Sequence, residues 1–151
     1  MSLDSSNLTI EDRTDAETAG EIVRDALNEY MSEMPKEEHI RVEIEDKEDD
    51  FIRNKMNGVM GVPRGESKLE LIIDSRNGDW EQYLPAMVAH EYAHTYYSEK
   101  WGQRFTDYKW RHLLEEAHSQ NFAEKVYPDI KAPMREHIPQ EKVSELWPEI
   151  R

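Results

Sequence analysis

The stretch AMVAHEYAH, residues 86–94, places two histidines four positions apart, His90 and His94, among small apolar residues. Positions i and i+4 of an α-helix lie one turn apart on the same face. Both imidazoles can therefore reach one metal ion at about 2.0 to 2.1 Å. The apolar flanks indicate a helix packed in the core, where an unpaired polar side chain costs about 1 to 3 kcal/mol. We therefore predict a metal site, the alternative being two exposed histidines on a charged helix face.

Glu91 lies one residue further round the same helix, beside the coordination position that the two histidines leave open. From there its carboxylate can take a proton from a metal-activated water without binding the metal itself. It can then pass that proton to the leaving amine of a cleaved peptide. The pattern His-Glu-x-x-His therefore predicts two metal ligands and one general base.

A catalytic zinc site has three protein ligands and one open position. Because the chain contains no cysteine, the third ligand must be His, Asp or Glu. Glu116 follows His94 by 22 residues, which leaves room for a turn and a returning antiparallel helix. Helical periodicity does not choose between Glu115 and Glu116, so both are candidates. His112 and His118 are weaker ligand candidates, since an exposed position or a helix-capping role explains each of them better.

The rest of the sequence predicts an α+β fold, because a helix and two strands precede two further helices. The run of charges from Glu45 to Asp50 indicates a solvated turn. Apolar periodicity and turn residues give the other boundaries. The predicted elements are a helix over residues 15–33, a strand over 40–44, a turn-rich loop over 57–65, a strand over 68–74, and helices over 79–97 and 108–127.

Three local features refine the predicted helices. Thr14 and Glu17 fit a capping box at the start of the first helix. Pro85 either kinks the helix that carries the histidines or marks its beginning. In the last helix, helical spacing predicts a mostly apolar cluster of residues on one side. That side comprises Trp110, Leu113, Leu114, Ala117 and Asn121.

The chain has 151 residues, 33 acidic and 19 basic side chains, and a formal net charge of −14. Its length fits one domain over residues 1–151, and no apolar run is long enough to cross a membrane. The N-terminal residues are polar and acidic, unlike a signal peptide, and the negative charge opposes nucleic-acid binding. We therefore expect a cytoplasmic protein that binds neither nucleic acid nor membranes. Acidity spread along the chain also resembles proteins from salt-loving organisms, in which salt screens the repulsion.

Four segments follow one another in the order seen in a known family. They are a loop with Gly58 and Gly61, LELII at residues 69–73, HEYAH at 90–94 and EAHSQNF at 116–122. In this respect the stretch Leu69–Tyr127 resembles the YjaZ-like predicted zinc-dependent proteases, a family of zincin type. The last motif agrees with the family in Glu116 and Phe122, while Ala117 replaces a glycine.

The resemblance implies a zincin-like α+β domain. Its small mixed sheet would have an edge strand packed on the histidine-bearing helix, followed by a glutamate-bearing helix. The strand Lys68–Asp74 would be that edge strand. Independently of the resemblance, Gln120 lies one helical turn beyond Glu116 and is predicted to orient a metal ligand. The implied zinc ligands are His90, His94 and Glu116, with Glu91 as the general base. Because family members usually continue beyond the glutamate helix, a chain ending at Arg151 is expected to lack a C-terminal part.

The leading functional hypothesis is a zinc metallopeptidase of gluzincin type that acts on a peptide or protein substrate. One alternative is a zinc-stabilised binding module without useful turnover. Another is a regulatory protease of the ImmA/IrrE type, which cleaves one specific partner. That family also pairs His-Glu-x-x-His with a later Glu-Ala and Phe-Ala helix, but the offset between Glu116 and Phe122 is longer here.

Peptide hydrolysis also needs a donor for the developing oxyanion. In related zincins a His or Tyr from the following segment does this. The sequence does not select one donor. The candidates are Tyr92, Tyr96, Tyr97, Tyr108, His118, Tyr127 and His137.

Overall fold

Five strands and four helices follow one another in the computed structural model, which describes residues 2–5, 7–36, 38–64, 67–101 and 109–130. The predicted α+β class is confirmed. In chain order the elements are β1 (Ser2–Ser5), β2 (Leu8–Asp12), α1 (Ala19–Met31), β3 (Ile40–Asp46), α2 (Asp50–Lys55), β4 (Val59–Pro63), β5 (Lys68–Ile73), α3 (Trp80–Trp101) and α4 (Lys109–Val126).

The five strands form one mixed sheet in the order β1-β2-β3-β5-β4. β2, β3 and β5 are parallel, whereas β1 and β4 run antiparallel to their neighbours. The prediction that the strand starting at Lys68 forms the sheet edge is therefore wrong, because β5 lies between β3 and β4. The edge strand next to β5 is β4, within the stretch predicted to be a loop, and β1 forms the opposite edge. Its Pro63 fits an edge position, where a missing N–H breaks no hydrogen bond of the sheet.

The hydrophobic core lies between one face of the sheet and the helices α1 and α3. Alternate strand residues point into it, as the period of two requires. Tyr30 of α1 packs against Tyr92 of α3 and Phe122 of α4, with ring centroids 5.3 and 5.5 Å apart. Fully buried core residues from these elements are Val23, Leu27, Ile40, Val42, Ile44, Leu69, Leu71, Ile73, Leu84 and Val88. This packing fixes α3, and with it the histidines, against the sheet.

The start of α1 differs from the predicted capping box. Asp12, at the end of β2, accepts hydrogen bonds from the backbone N–H of Gly20 and from both the N–H and the hydroxyl of Thr14. The helix begins at Ala19, after Thr18, whose side chain makes no capping hydrogen bond. The capping-box prediction is therefore wrong. A carboxylate from the preceding strand satisfies the first turn of the helix instead.

The short helix α2 was not predicted, because it follows directly on the run of charges. Its N-cap residue Asp49 accepts hydrogen bonds from the N–H groups of Phe51 and Ile52. A carboxylate at this position stabilises a helix start by satisfying free donors. The end of that run of charges is therefore a helix start rather than only a solvated turn.

The longest described helix, α3, contains Pro85 in its second turn. It starts at Trp80, so the alternative that the helix begins at the proline is wrong. None of the described helices combines the length and the apolarity needed to cross a lipid bilayer.

The mostly apolar cluster on one side of α4 faces outward where the structure describes it. Leu113 is 46% exposed and Leu114 is 42% exposed, and Ala117 and Asn121 are exposed as well. The residues that turn inward are instead Ser119 and Ala123. The side chain of Trp110 lies outside the part of the chain that the structure describes.

Asp74 joins the end of β5 to two neighbouring segments. Its buried carboxylate accepts hydrogen bonds from the N–H of Asp49 at 3.0 Å and from Arg76 through N at 3.1 Å and Nε at 2.7 Å. Burial alone would raise the pKa of Asp74, but the hydrogen bonds from Asp49 and Arg76 lower it. The charged carboxylate is therefore the form that the folded protein prefers.

Replacing Asp74 with alanine is expected to lower the free energy of unfolding by about 1 to 3 kcal/mol, because buried donors lose their acceptor. A lowered pKa in the folded state means that this contribution is present above the unfolded pKa, about 3.9. It is lost as the pH falls further. Urea denaturation of the wild type and Asp74→Ala at pH 7 and pH 3 measures both effects. The exposed Asp25→Ala is the control, and an equal loss in both variants would contradict the assignment.

Candidate metal centre

α3 and α4 bring the imidazoles of His90 and His94 against the carboxylate of Glu116. The two Nε2 atoms lie 3.1 Å apart. Glu116 places Oε2 at 3.3 Å from Nε2 of His90 and Oε1 at 3.1 Å from Nε2 of His94. Among the described residues, this is the one group of three or more possible ligands whose atoms all lie within 4.8 Å of one another. The His/His/Glu group could hold a metal ion, and it offers three protein ligands, the number found in catalytic zinc sites.

The other ring nitrogens of the two histidines have separate partners. Nδ1 of His94 lies 2.9 Å from Oε1 of Glu115, and Nδ1 of His90 lies 3.1 Å from Oε1 of Gln120. A hydrogen on each Nδ1, donated to these acceptors, leaves each Nε2 lone pair facing the metal position. Gln120 also donates its amide to Glu124 at 3.1 Å, which holds its oxygen toward His90.

These contacts distinguish Glu115 from Glu116, which helical periodicity alone could not do. The carboxylate of Glu116 faces the Nε2 atoms of both histidines, and its side chain is 45% exposed to solvent. Glu115 lies behind His94, with a side chain only 13% exposed. The position of Glu116 fits the role of a metal ligand. The position of Glu115 fits the role of an acceptor that orients His94, which the sequence had not suggested.

The ionisation of the group follows from the same contacts. Hydrogen bonds from His90 and His94 lower the pKa of Glu116. Burial alone would lower the pKa of His94, but its hydrogen bonds to Glu115 and Glu116 raise it to about 10. The metal-free group therefore holds a proton at neutral pH, and a metal ion must displace it.

Glu91 lies next to this group, on the same helix. Its side chain is only 4% exposed, and its Oε2 has no hydrogen-bond partner among the described residues. Burial raises the pKa of Glu91 above its ordinary value. An unpartnered buried oxygen is costly, since such groups are nearly always hydrogen-bonded in proteins. The carboxylate is therefore available to a ligand or a water at the site.

Two of the candidate oxyanion donors are engaged elsewhere. The hydroxyl of Tyr92 donates to the carbonyl oxygen of Met34, and that of Tyr127 donates to Glu29 at 3.1 Å. The weaker ligand candidate His112 is exposed on α4. It does not belong to the metal-binding group.

Three other candidates form an aromatic group further along α3 and α4. Tyr97 packs against Tyr96 and against His118, with ring centroids 5.6 and 5.3 Å apart. His118 likewise does not belong to the metal-binding group. Tyr108 and His137 lie outside the described residues. The contacts described for these residues therefore assign no oxyanion donor.

Glu116→Ala is expected to weaken zinc binding far more than Glu115→Ala, because only the former removes a ligand. Loss of an orienting acceptor typically costs about 10- to 100-fold in metal affinity. Competition titration with a zinc chelator measures both affinities. Glu81→Ala, which changes an exposed glutamate in the first turn of α3, is the control and should bind zinc as the wild type does. A loss confined to Glu115→Ala would make Glu115 the ligand and contradict the assignment.

Comparison with known protein families, with curated proteins and with solved structures finds no match for this chain. The site is therefore defined by the chain's own residues and their geometry.

Proposed function

We propose that this chain is a zinc-dependent metallopeptidase of gluzincin type that hydrolyses peptide bonds. The observation that carries the proposal is the position of Glu91. Glu91 is a buried carboxylate with an unpartnered oxygen. It follows His90 on α3, and the charges of His90, His94 and Glu116, the three possible ligands, act on its pKa. A purely structural zinc site would instead have four protein ligands and no need of a free carboxylate.

The donor set supports zinc as the metal. Two imidazole nitrogens and one carboxylate are a ligand set of catalytic zinc sites, and the site has no thiolate that would select softer metals. A zinc ion held there would act as a Lewis acid and lower the pKa of a water molecule toward about 7. The protein contributes the fixed orientation of the three ligands, through Glu115 and Gln120.

Glu91 would act as the general base and then as a general acid. Its carboxylate accepts the proton of the attacking water and returns it to the nitrogen of the departing amine. The raised pKa favours the first step, because it makes the carboxylate a stronger base.

The outer edge of β4 offers a place for an extended substrate. Arg64 N donates to Lys68 O, and Asp74 N donates to Gly58 O, each at 2.9 Å. Because bonded and non-bonded pairs alternate in an antiparallel ladder, Val59 and Gly61 turn their backbone groups away from β5. The N–H of Val59 donates to the carbonyl oxygen of Met56 at 3.2 Å, so a peptide added as a further strand could pair with Gly61.

A peptide-library cleavage assay tests the proposal, using the wild-type protein with zinc, with chelator, and with zinc restored. Cleavage that chelator abolishes and zinc restores is the expected result. Bound zinc without cleavage of any library peptide would contradict the proposal and favour a zinc-stabilised binding module. Cleavage of a single partner protein but of no library peptide would favour a regulatory protease.

A further inference from the structure

Gly61 of β4 lies in contact with Glu91 of α3. A Cβ atom built on Gly61 would lie 2.2 Å from Cγ, 2.5 Å from Cδ and 2.6 Å from Oε1 of Glu91. All three distances are shorter than 3.0 Å, the limit below which real Cβ atoms essentially never approach another heavy atom. The side chain of Glu91 therefore occupies the space that any residue other than glycine would need at position 61.

The position of Gly61 in β4 explains this contact. Side chains alternate between the two faces of a strand, and Val59, two residues earlier, is fully buried. Position 61 thus faces the same side as Val59, toward α3. The clash involves Cγ and Cδ as well as the terminal oxygen, so a rotation of the carboxylate group alone would not relieve it.

We propose that Gly61 is a positioning residue for Glu91, and that its missing side chain keeps the carboxylate beside the metal-binding group. This inference rests on the proposed function of Glu91 as the base. The backbone of Gly61 also turns outward, where a peptide strand would pair about 4.8 Å away. One residue thus brings the bound peptide and the base to the same place.

A double-mutant cycle in thermal stability tests the contact without requiring activity. Gly61→Ala is expected to lower Tm by roughly 5 to 10 °C in the presence of Glu91, because overpacking a buried site is destabilising. In the Glu91→Ala background the same change should lower Tm by less than about 2 °C, since the clashing atoms are gone. Gly78→Ala is the control, because a Cβ at Gly78 meets no atom within 4 Å.

The double-mutant cycle still tests the contact between Gly61 and Glu91 if Gly61→Ala alone does not fold. Folding restored by Glu91→Ala would support the proposal. The same Tm change in both backgrounds, or failure to fold in both, would overturn it. Zinc content should equal that of the wild type in every folded variant.

If the wild type cleaves a peptide, kinetic measurements on the same variants distinguish an effect on the position of the base from an effect on substrate binding. Gly61→Ala should lower kcat at least roughly tenfold with KM nearly unchanged, and adding Glu91→Gln should lower it little further. Independent, multiplicative losses would overturn the proposal. A wild type that cleaves nothing would refute the proposed function but leave the result of the stability cycle standing.

Discussion

Glu91→Gln is expected to reduce peptide hydrolysis by at least roughly 10²- to 10⁴-fold, the contribution of a positioned acid–base group. Glutamine keeps the size of the side chain but lacks the basic oxygen that accepts a proton. Zinc content should not change, because Glu91 is not among the three residues whose ligand atoms converge. The melting temperature should not fall, since the neutral amide avoids the burial penalty that raises the pKa of Glu91.

The measurement is kcat/KM on the best library peptide, together with zinc content and a thermal melt. Glu81→Gln, which changes an exposed glutamate in the first turn of α3, is the matched control. Chelator-sensitive cleavage by Glu91→Gln at the wild-type rate would overturn the general-base role. It would leave the metal site itself unaffected.

His94→Ala is expected to remove both zinc and activity. It deletes a ligand and leaves Glu115 and Glu116 without their shared imidazole partner. Stabilisation by zinc should disappear as well, which amounts to about 2.7 kcal/mol at a free zinc concentration 100 times the Kd. Thermal melts with and without zinc measure this difference directly.

His112→Ala is the matched control for this change, because His112 is an exposed histidine on α4 outside the metal-binding group. It should keep the zinc content and the zinc-dependent shift in Tm of the wild type. Full zinc occupancy in His94→Ala would contradict the assignment of His94 as a ligand.

The metal-binding group could be predicted largely from local spacing. His90 and His94 share a helix face because they are four residues apart, and the predicted helices that carry the group are present. The partner from α4 depends on how two helices pack, which periodicity does not contain. The choice of Glu116 came from a family resemblance, and Gln120 was expected to orient an unspecified ligand because it lies one turn further along the helix. In the structure Glu116 Oε1 lies 3.1 Å from Nε2 of His94, and Gln120 Oε1 lies 3.1 Å from Nδ1 of His90.

The errors arose where tertiary contacts override a local pattern. The apolar residues Leu113 and Leu114 face outward because α4 turns Glu115 and Glu116 toward the histidines. β4 was mistaken for a loop because of its glycine and proline. Gly61 is required there by a contact with Glu91, thirty residues away in sequence.

The most direct test of the account is the zinc content of the purified wild-type protein. Bound metal would be removed from the protein with chelator, and the protein would be reloaded with excess zinc and dialysed. Its zinc content would then be measured by elemental mass spectrometry. The convergence of His90, His94 and Glu116 predicts one zinc ion per chain, falling to less than about a tenth in Glu116→Ala. A wild-type protein that retains no zinc after reloading would contradict the metal site, and with it the proposed peptidase.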